Sequence, residues 1–196
     1  ALISVSDKKN LKNLIKILVK YKIELISSGG TYKEIRKLKF KCLEVSEYTN
    51  SPEILNGRVK TLHPKIHAGI LSKRKNKSHK NDLNNNNFEE IDLVIVNFYP
   101  FEKILDKTNN HSKIIENIDI GGPTMVRSAA KNYNDVTVIT SLDQYDELIS
   151  EIEKNKGSTS LEFREKMSLE AFSETAYYDA VISNYFNKIK KNNFPK

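Results

Sequence analysis

The sequence predicts an α/β fold: a doubly wound, mostly parallel sheet of five strands with helices on both faces, followed by further helices at the carboxyl end. Two observations favour this class. Short apolar segments alternate with amphipathic segments of helical period over the first two thirds of the chain. One apolar segment, Ile91–Val96, contains a single polar residue, as expected of a strand covered on both faces. The 196 residues suffice for one such domain and are too few for two of full size.

The predicted strands are short apolar segments separated by turns and helical segments. They are Leu2–Val5, Glu24–Ile26, Cys42–Val45, Ile91–Val96 and Val136–Ile139. Between the first two, apolar residues recur at helical spacing from Leu11 to Leu18, and Asp7 is the predicted N-cap of this helix. A second helix, Thr31–Leu38, is predicted between the second and third strands. Because helices connect consecutive strands, the strands are expected to run parallel.

The second half of the chain is mainly helical by its pattern. The predicted helices there cover residues 112–117, 123–132, 142–154 and about 160–189. The last one carries aromatic residues such as Phe163, Phe172 and Tyr185, whose spacing is more typical of core or subunit packing than of a cofactor site. Residues 76–87 include four consecutive asparagines and predict a mobile loop insertion.

The composition argues against several classes of partner. The net charge of +7 invites a nucleic-acid interpretation, but 27 of the 32 basic residues are lysines, whereas base and phosphate readers rely on arginine. No apolar run approaches the roughly 20 residues of a membrane span, and the first residues lack a signal-peptide pattern. We therefore expect a cytoplasmic protein that binds neither nucleic acid nor membrane.

Residues that bind metals are sparse. Cys42 is the only cysteine, which excludes a disulfide framework and a cysteine-based zinc site, and we predict that it is a core residue. His63 and His67 are four residues apart, but Pro64 interrupts the helix that would align them, and no third ligand is apparent. The sequence therefore predicts no metal site.

Two turns rich in serine and glycine follow the first two strands. The turn Ser28–Thr31 opens a helix, where glycines allow close approach to an anion and the helix N-terminus offers unpaired N–H groups. The turn Ser4–Lys8 adds two hydroxyls and a lysine. Both turns are expected at the carboxyl edge of the parallel sheet, so together they predict a phosphate site. The alternative is an ordinary structural turn with Thr31 as its cap.

Three further segments carry polar groups that can act in chemistry. Gly57–Pro64 has two cations and a hydroxyl after a turn glycine, Asn97–Phe101 closes the fourth strand, and Asp119–Thr124 opens a helix with proline near its start. Small residues before Lys131 on that helix predict close packing. A lysine dehydrated by such packing is a candidate general base.

Six motifs occur in the order typical of one known family. They are Ser4–Lys8, Ser28–Thr31, Gly57–Pro64, Asn97–Phe101, Asp119–Gly122 and Ala129–Asn132. The chain thereby resembles the amino-terminal IMP cyclohydrolase domain of bifunctional purine biosynthesis proteins, and the string Arg58–Pro64 is the most specific part of the resemblance. The resemblance implies a methylglyoxal-synthase-like fold over residues 1–187. It also implies that residues 188–196 are a linker toward an AICAR formyltransferase domain that is absent here.

The resemblance implies a reaction and a set of site residues. IMP cyclohydrolases close the purine ring of 5-formamido-4-imidazolecarboxamide ribonucleotide (FAICAR), release water and form IMP, without a metal or redox cofactor. The groups implied near the reacting ring are Lys60, Tyr99, Asp119 and Lys131, with Lys131 as proton donor or acceptor. The residues implied for nucleotide binding are Ser6, Asp7, Lys8, Ser28, Gly29, Gly30, Thr31, Arg58, Thr61, Asn97 and Ile120.

Two other functions are compatible with a phosphate turn on this fold. A methylglyoxal-synthase-like lyase acting on a triose phosphate needs the same turn, but the segments Arg58–Pro64 and Asn97–Phe101 argue against it. The chain could also be a non-catalytic module that binds a phosphorylated effector, but this alternative gives Lys60, Tyr99 and Lys131 no function. The resemblance also implies a homodimer, for which the aromatic face of the last helix is suited.

Overall fold

The computed structural model describes residues 1–190 and confirms the predicted fold class. The strands are β1 (Leu2–Val5), β2 (Ile26–Ser27), β3 (Leu43–Glu44), β4 (Leu93–Asn97) and β5 (Thr137–Ile139). All neighbouring strands are parallel, and their order in the sheet is β3-β2-β1-β4-β5. The chain winds outward in opposite directions from the pair β1 and β4. These two strands therefore flank the switch point, where open α/β sheets bind their ligands.

Helices connect the strands and follow the last one. They are α1 (Leu11–Lys20), α2 (Gly29–Lys37), α3 (Val45–Thr49), α4 (Pro64–Leu71), α5 (Lys77–Asn85), α6 (Phe101–Lys107), α7 (His111–Glu116), α8 (Gly121–Lys131), α9 (Tyr145–Lys154) and α10 (Leu161–Lys190). Short 3₁₀ turns cover Leu55–Gly57 and Leu142–Gln144. Every helix predicted from the sequence is present, while α3, α4, α5 and α6 were not predicted.

The predicted N-cap of the first helix is wrong. Helix α1 begins at Leu11, and Asn10 precedes it in a left-handed conformation without a capping side chain. The Asp7 carboxylate instead accepts a hydrogen bond of 2.9 Å from the backbone N–H of Lys9. Asp7 therefore stabilises the turn after β1 and leaves α1 to begin one turn later.

The asparagine-rich segment is a helix rather than a loop insertion. Helix α5 covers most of residues 76–87, and the Asn76 side chain caps it by accepting from the backbone N–H groups of Ser78 and His79. The buried Leu83 anchors the helix to the rest of the chain. A capping amide and one buried leucine thus outweigh the low helix propensity of asparagine.

The interpretation that Pro64 interrupts a helix is wrong, because helix α4 begins at this residue. Proline occupies the first position of this helix, where its missing N–H costs nothing. His63 is the N-cap, and its Nδ1 atom accepts a hydrogen bond of 3.1 Å from the backbone N–H of Lys65. The two histidines therefore lie at the start and within the first turns of one helix.

The core joins the sheet to the long helix α10. Leu2, Ile3, Val94 and Ile95 are almost completely buried in the central strands. Helix α8 packs between β4 and α10 through Ala129 and its neighbours, which confirms the predicted close packing of its small residues. The predicted linker 188–196 begins inside α10, and residues 191–196 lie outside the described part of the chain. Within residues 1–190, no helix is long and apolar enough to cross a membrane.

Candidate active site

A cavity of about 810 Å³ lies at the carboxyl edge of the sheet, where β1 and β4 end. Its walls come from the turns after β1, β2 and β4, from residues 55–62, and from residues 115–122. The predicted site residues that line it are Ser6, Lys8, Ser28, Gly29, Gly30, Thr31, Arg58, Lys60, Thr61, Asn97, Tyr99, Asp119 and Ile120. The two predicted site residues that do not line it are Asp7 and Lys131. Segments far apart in the sequence thus form a single cavity.

The Asn97 side chain organises the turn after β1. Its Oδ1 atom accepts from the backbone N–H of Ser6 at 2.6 Å, from the Ser6 hydroxyl at 2.9 Å and from the backbone N–H of Asp7 at 3.1 Å. Its Nδ2 atom donates to the Asp7 carbonyl at 3.2 Å. This amide therefore holds the turn after β1 against the end of β4. The same turn places Lys8 in the wall of the cavity.

One end of the cavity is suited to an anion. Gly29 and Gly30 form the first turn of α2, and Gly29 has a left-handed φ of +53°. A Cβ atom added to Gly29 would lie 3.5 Å from Lys60 Nζ, and one added to Gly30 would lie 3.8 Å from Lys8 Nζ. Two ammonium groups therefore flank the N-terminus of a nine-residue helix. Unpaired N–H groups, the helix dipole and two cations all favour a phosphate at this point.

Thr31 supports this turn from behind. Its buried hydroxyl donates to the Val5 carbonyl and accepts from the Val5 N–H, both at 3.0 Å. These two hydrogen bonds tie α2 to the end of β1. The hydroxyl is thus occupied within the protein, and Thr31 positions the turn rather than offering a free donor.

Both cations of the Arg58–Lys60 segment have carboxylate partners. Lys60 Nζ lies 2.8 Å from Glu53 Oε2, and Arg58 Nε lies 3.4 Å from Glu116 Oε1. Gly57 makes room for the first pair: its φ is +90°, and a Cβ atom would lie 2.5 Å from Glu53 Oε1. Neither glutamate was predicted, because no local pattern connects Glu53 or Glu116 to the cation that it meets in the fold.

Asp119 lies at the opposite side of the cavity, at the start of α8. Its Oδ1 atom accepts from the backbone N–H of Gly122 at 2.9 Å, and its own backbone N–H donates to the Tyr178 hydroxyl at 2.8 Å. Burial raises the pKa of the Asp119 carboxyl, while the N–H groups of Gly121 and Gly122 act in the opposite direction. A carboxyl group of this kind is suited to holding or accepting a proton.

Two further predicted residues line the cavity: Thr61 packs against the start of α8, and Tyr99 lies at the rim. A Cβ atom added to Gly121 would lie 2.5 Å from Thr61 Oγ1, so the buried Thr61 packs directly on the first residue of α8. Tyr99 follows β4 and remains 40% exposed at the rim. Its phenol is therefore accessible to a ligand.

Lys131 lies at the other end of α8 and is exposed, so its predicted dehydration is wrong. Ten residues separate it from Gly121, which corresponds to roughly 15 Å along the helix axis at the usual rise per residue. On the same exposed stretch, the Arg127 guanidinium lies 5.6 Å from the centre of the Phe172 ring. Within one chain, Lys131 therefore does not reach the cavity.

The two histidines of the α4 region, His63 and His67, have hydrogen-bond partners within the protein. His63 caps α4, as described above, and His67 Nδ1 lies 3.2 Å from Ser128 Oγ on α8. Burial lowers the pKa of His67, so its neutral form is favoured. Residues 1–190 contain no cluster of three or more histidine, cysteine or acidic side chains with the spacing of a metal site.

A doubly wound parallel sheet with a polar cavity at its switch point defines a ligand-binding α/β domain. The family model of the MGS-like domain matches residues 10–124, and the chain belongs to this family. A second family model, the AICARFT/IMPCHase bienzyme, matches residues 129–196. These two matches confirm the resemblance found in the sequence motifs.

Curated relatives cover nearly the whole chain. It is 51% identical over 189 residues to the bifunctional purine biosynthesis protein PurH of Prochlorococcus marinus strain MIT 9301, and 53% identical over 190 residues to that of Wigglesworthia glossinidia brevipalpis. In both matches 96% of this chain is covered, but the chain spans only 36% and 35% of the relatives' length. A solved structure described as ForH has a TM-score of 0.85 and 30% identity, covering 95% of this chain and 96% of its own.

Proposed function

We propose that this chain is an IMP cyclohydrolase domain that closes the purine ring of FAICAR with release of water. The observation that carries the proposal is the joining of two groups of residues in one cavity. The lysine-flanked N-terminus of α2 is suited to the ribonucleotide phosphate, and Asp119 and Tyr99 lie on other walls of the same cavity. Sequence identity of about half to PurH proteins supports the same reaction.

The reaction needs proton transfer and no cofactor. The carboxamide nitrogen attacks the formyl carbon, the new C–N bond closes the ring, and the former formyl oxygen leaves as water. The two hydrogens of that water come from the carboxamide nitrogen and the formamide nitrogen. A base and an acid are therefore required close to the reacting ring.

In the proposed assignment, Asp119 takes part in proton transfer, because burial raises the pKa of its carboxyl and keeps it able to exchange a proton. Tyr99 offers a phenol at the rim of the cavity for the developing oxyanion. Lys60 lies against the first turn of α2 and is proposed to bind the phosphate in addition to any role near the ring. Arg58 contributes a second cation on the same wall.

The catalytic role that the resemblance implies for Lys131 remains a prediction. Its amine lies outside the cavity of one chain, so that role requires a second copy that brings Lys131 to the site. We propose a homodimer on the exposed apolar side chains Leu169, Phe172 and Tyr177 of α10. A cytoplasmic location is proposed together with the biosynthetic role.

Mixing the purified chain with FAICAR tests the proposed function. We expect the ultraviolet absorbance to change as IMP forms, with the same rate in the presence of EDTA. The Asp119→Asn variant is the matched control for proton transfer. Its amide keeps the side-chain shape but cannot exchange the proton, so we expect its turnover to fall. A parent protein that leaves FAICAR unchanged while binding phosphorylated ligands would favour the effector-binding module. Conversion of a triose phosphate to methylglyoxal would favour the lyase.

A further inference from the structure

Residues 54–59 form a small hairpin that contributes one wall of the cavity. The backbones of Ile54 and Val59 pair in both directions, with N···O distances of 3.2 and 3.3 Å. The backbone N–H of Gly57 donates to the Ile54 carbonyl at 3.1 Å and closes the turn. Leu55 and Asn56 are the two central residues of this turn, and both have a φ of 54°.

The left-handed conformation is unusual for Leu55. Asparagine and glycine tolerate it, and Asn56 is therefore in a favourable place, but a leucine Cβ meets the following carbonyl group. Backbone strain of this kind persists where surrounding structure imposes it, and it is concentrated at functional sites. Here the Ile54–Val59 pairing and the Gly57 hydrogen bond impose it.

The Leu55 side chain gains little from burial in the protein itself. It lines the cavity and is 65% exposed, so neither its backbone conformation nor its packing explains a leucine at this position. Three further apolar or aromatic side chains line the same cavity while exposed: Ile120 at 57%, Tyr99 at 40% and Leu62 at 37%. The cavity thus combines a cationic part at α2 with apolar side chains that remain exposed in the free protein.

This division matches the two chemical parts of a purine nucleotide. The phosphate requires N–H groups and cations, and the flat base requires apolar surface. We propose that Leu55 is a specificity residue that packs against the purine base of the bound nucleotide. The inference rests on the proposed function, because it takes IMP as the ligand. Burial by the ligand then offsets the strain that Leu55 carries in the free protein.

The test compares two ligands that share the phosphate and differ in the base. In Leu55→Gly and Leu55→Asn, we expect IMP affinity to fall by about tenfold or more, the scale of one leucine side chain buried by a ligand. Affinity for ribose 5-phosphate should stay within about twofold of the parent. Leu55→Asn keeps a residue suited to the left-handed turn, so a loss in both variants reports the missing apolar side chain and not a loosened loop.

Thermal unfolding of the same variants supplies a readout that separates binding from stability. Leu55→Gly removes the strain, so we expect its melting temperature to rise while its IMP affinity falls. Lys39→Gly is the matched control: Lys39 is exposed, has a φ of 66° and follows α2 outside the cavity lining. It should raise the melting temperature without changing IMP affinity.

Unchanged IMP affinity in both Leu55 variants would overturn the inference, and so would an equal loss of ribose 5-phosphate affinity. A parent protein that binds IMP but does not turn over FAICAR would contradict the proposed function and leave the Leu55 comparison valid. A parent that does not bind IMP would contradict both.

Discussion

The Lys60 ammonium lies 2.8 Å from the Glu53 carboxylate and would lie 3.5 Å from a Cβ atom added to Gly29, in the first turn of α2. This cation therefore links the hairpin wall of the cavity to the predicted phosphate turn. Lysine has three donors, so it can keep Glu53 as a partner while donating to a phosphate. Glu53 thus determines where the Lys60 charge is presented.

Gly57 is required for this arrangement, and Gly57→Ala tests it. The left-handed φ of +90° and the 2.5 Å separation of an added Cβ from Glu53 Oε1 both oppose a side chain there. We expect the free energy of unfolding to fall by about 1–3 kcal/mol, measured by urea denaturation. Gly30→Ala is the control for stability, because its added Cβ meets only ordinary contacts with Lys8 at 3.8 Å. Equal stability of the two variants would contradict the argument.

Lys8→Ala should weaken binding of IMP, whereas Lys9→Ala should leave it unchanged. Lys8 Nζ lies beside Gly30 at the start of α2, while Lys9 is exposed and does not line the cavity. A lost hydrogen bond to a charged group corresponds to about 1.5–3 kcal/mol in binding free energy. Calorimetric titration with IMP and with inosine measures the effect. If inosine binds as well as IMP, the turn is not a phosphate site.

Thr31→Val should lower protein stability more than it affects any ligand contact. The substitution leaves the buried N–H and carbonyl of Val5 without their hydroxyl partner, at a cost of about 1–3 kcal/mol in the free energy of unfolding. Thr31→Ser keeps the hydroxyl and should retain most of the stability. Urea denaturation of both variants decides the point. A fully stable Thr31→Val would show that the two hydrogen bonds do not hold α2 to β1.

Asp119 should make the stability of the protein depend on pH. Because burial raises its pKa in the folded state, its contribution to stability is full below the unfolded pKa of about 3.9 and is lost as pH rises through the folded pKa. Asp119→Asn should remove this loss, since an amide does not ionise. Unfolding free energies of both proteins across the acidic range give the comparison. Parallel pH profiles for parent and variant would exclude Asp119 as the source.

Lys131→Ala should bind IMP with the affinity of the parent, because the exposed Lys131 does not line the cavity of the chain. Calorimetry measures the affinity, and weakened binding would contradict the expectation. Turnover of FAICAR by the same variant tests the catalytic role separately. If Lys131→Ala loses turnover, and the turnover of the parent depends on protein concentration, a second chain supplies the amine.

Local patterns in the sequence were sufficient for the fold class and for much of the cavity. Apolar segments such as Ile91–Val96 identify buried parallel strands, because a strand covered on both faces needs apolar residues throughout. The glycine turn before α2 identifies a helix start at the carboxyl edge. The predicted turns meet in one cavity because parallel strands place all their carboxyl ends on the same side of the sheet.

Which side chains meet in the cavity depends on contacts between residues that are far apart in the sequence. Glu53 reaches Lys60 through the hairpin geometry, and the Thr31 hydroxyl is occupied by Val5 across β1 and α2. Lys131 shares a helix with Gly121, yet ten residues of helical rise carry its backbone to the far end. The sequence determines helices and strands through periodic burial of neighbouring residues. Contacts between distant residues depend on where turns and helix ends direct each side chain, and no local period encodes that.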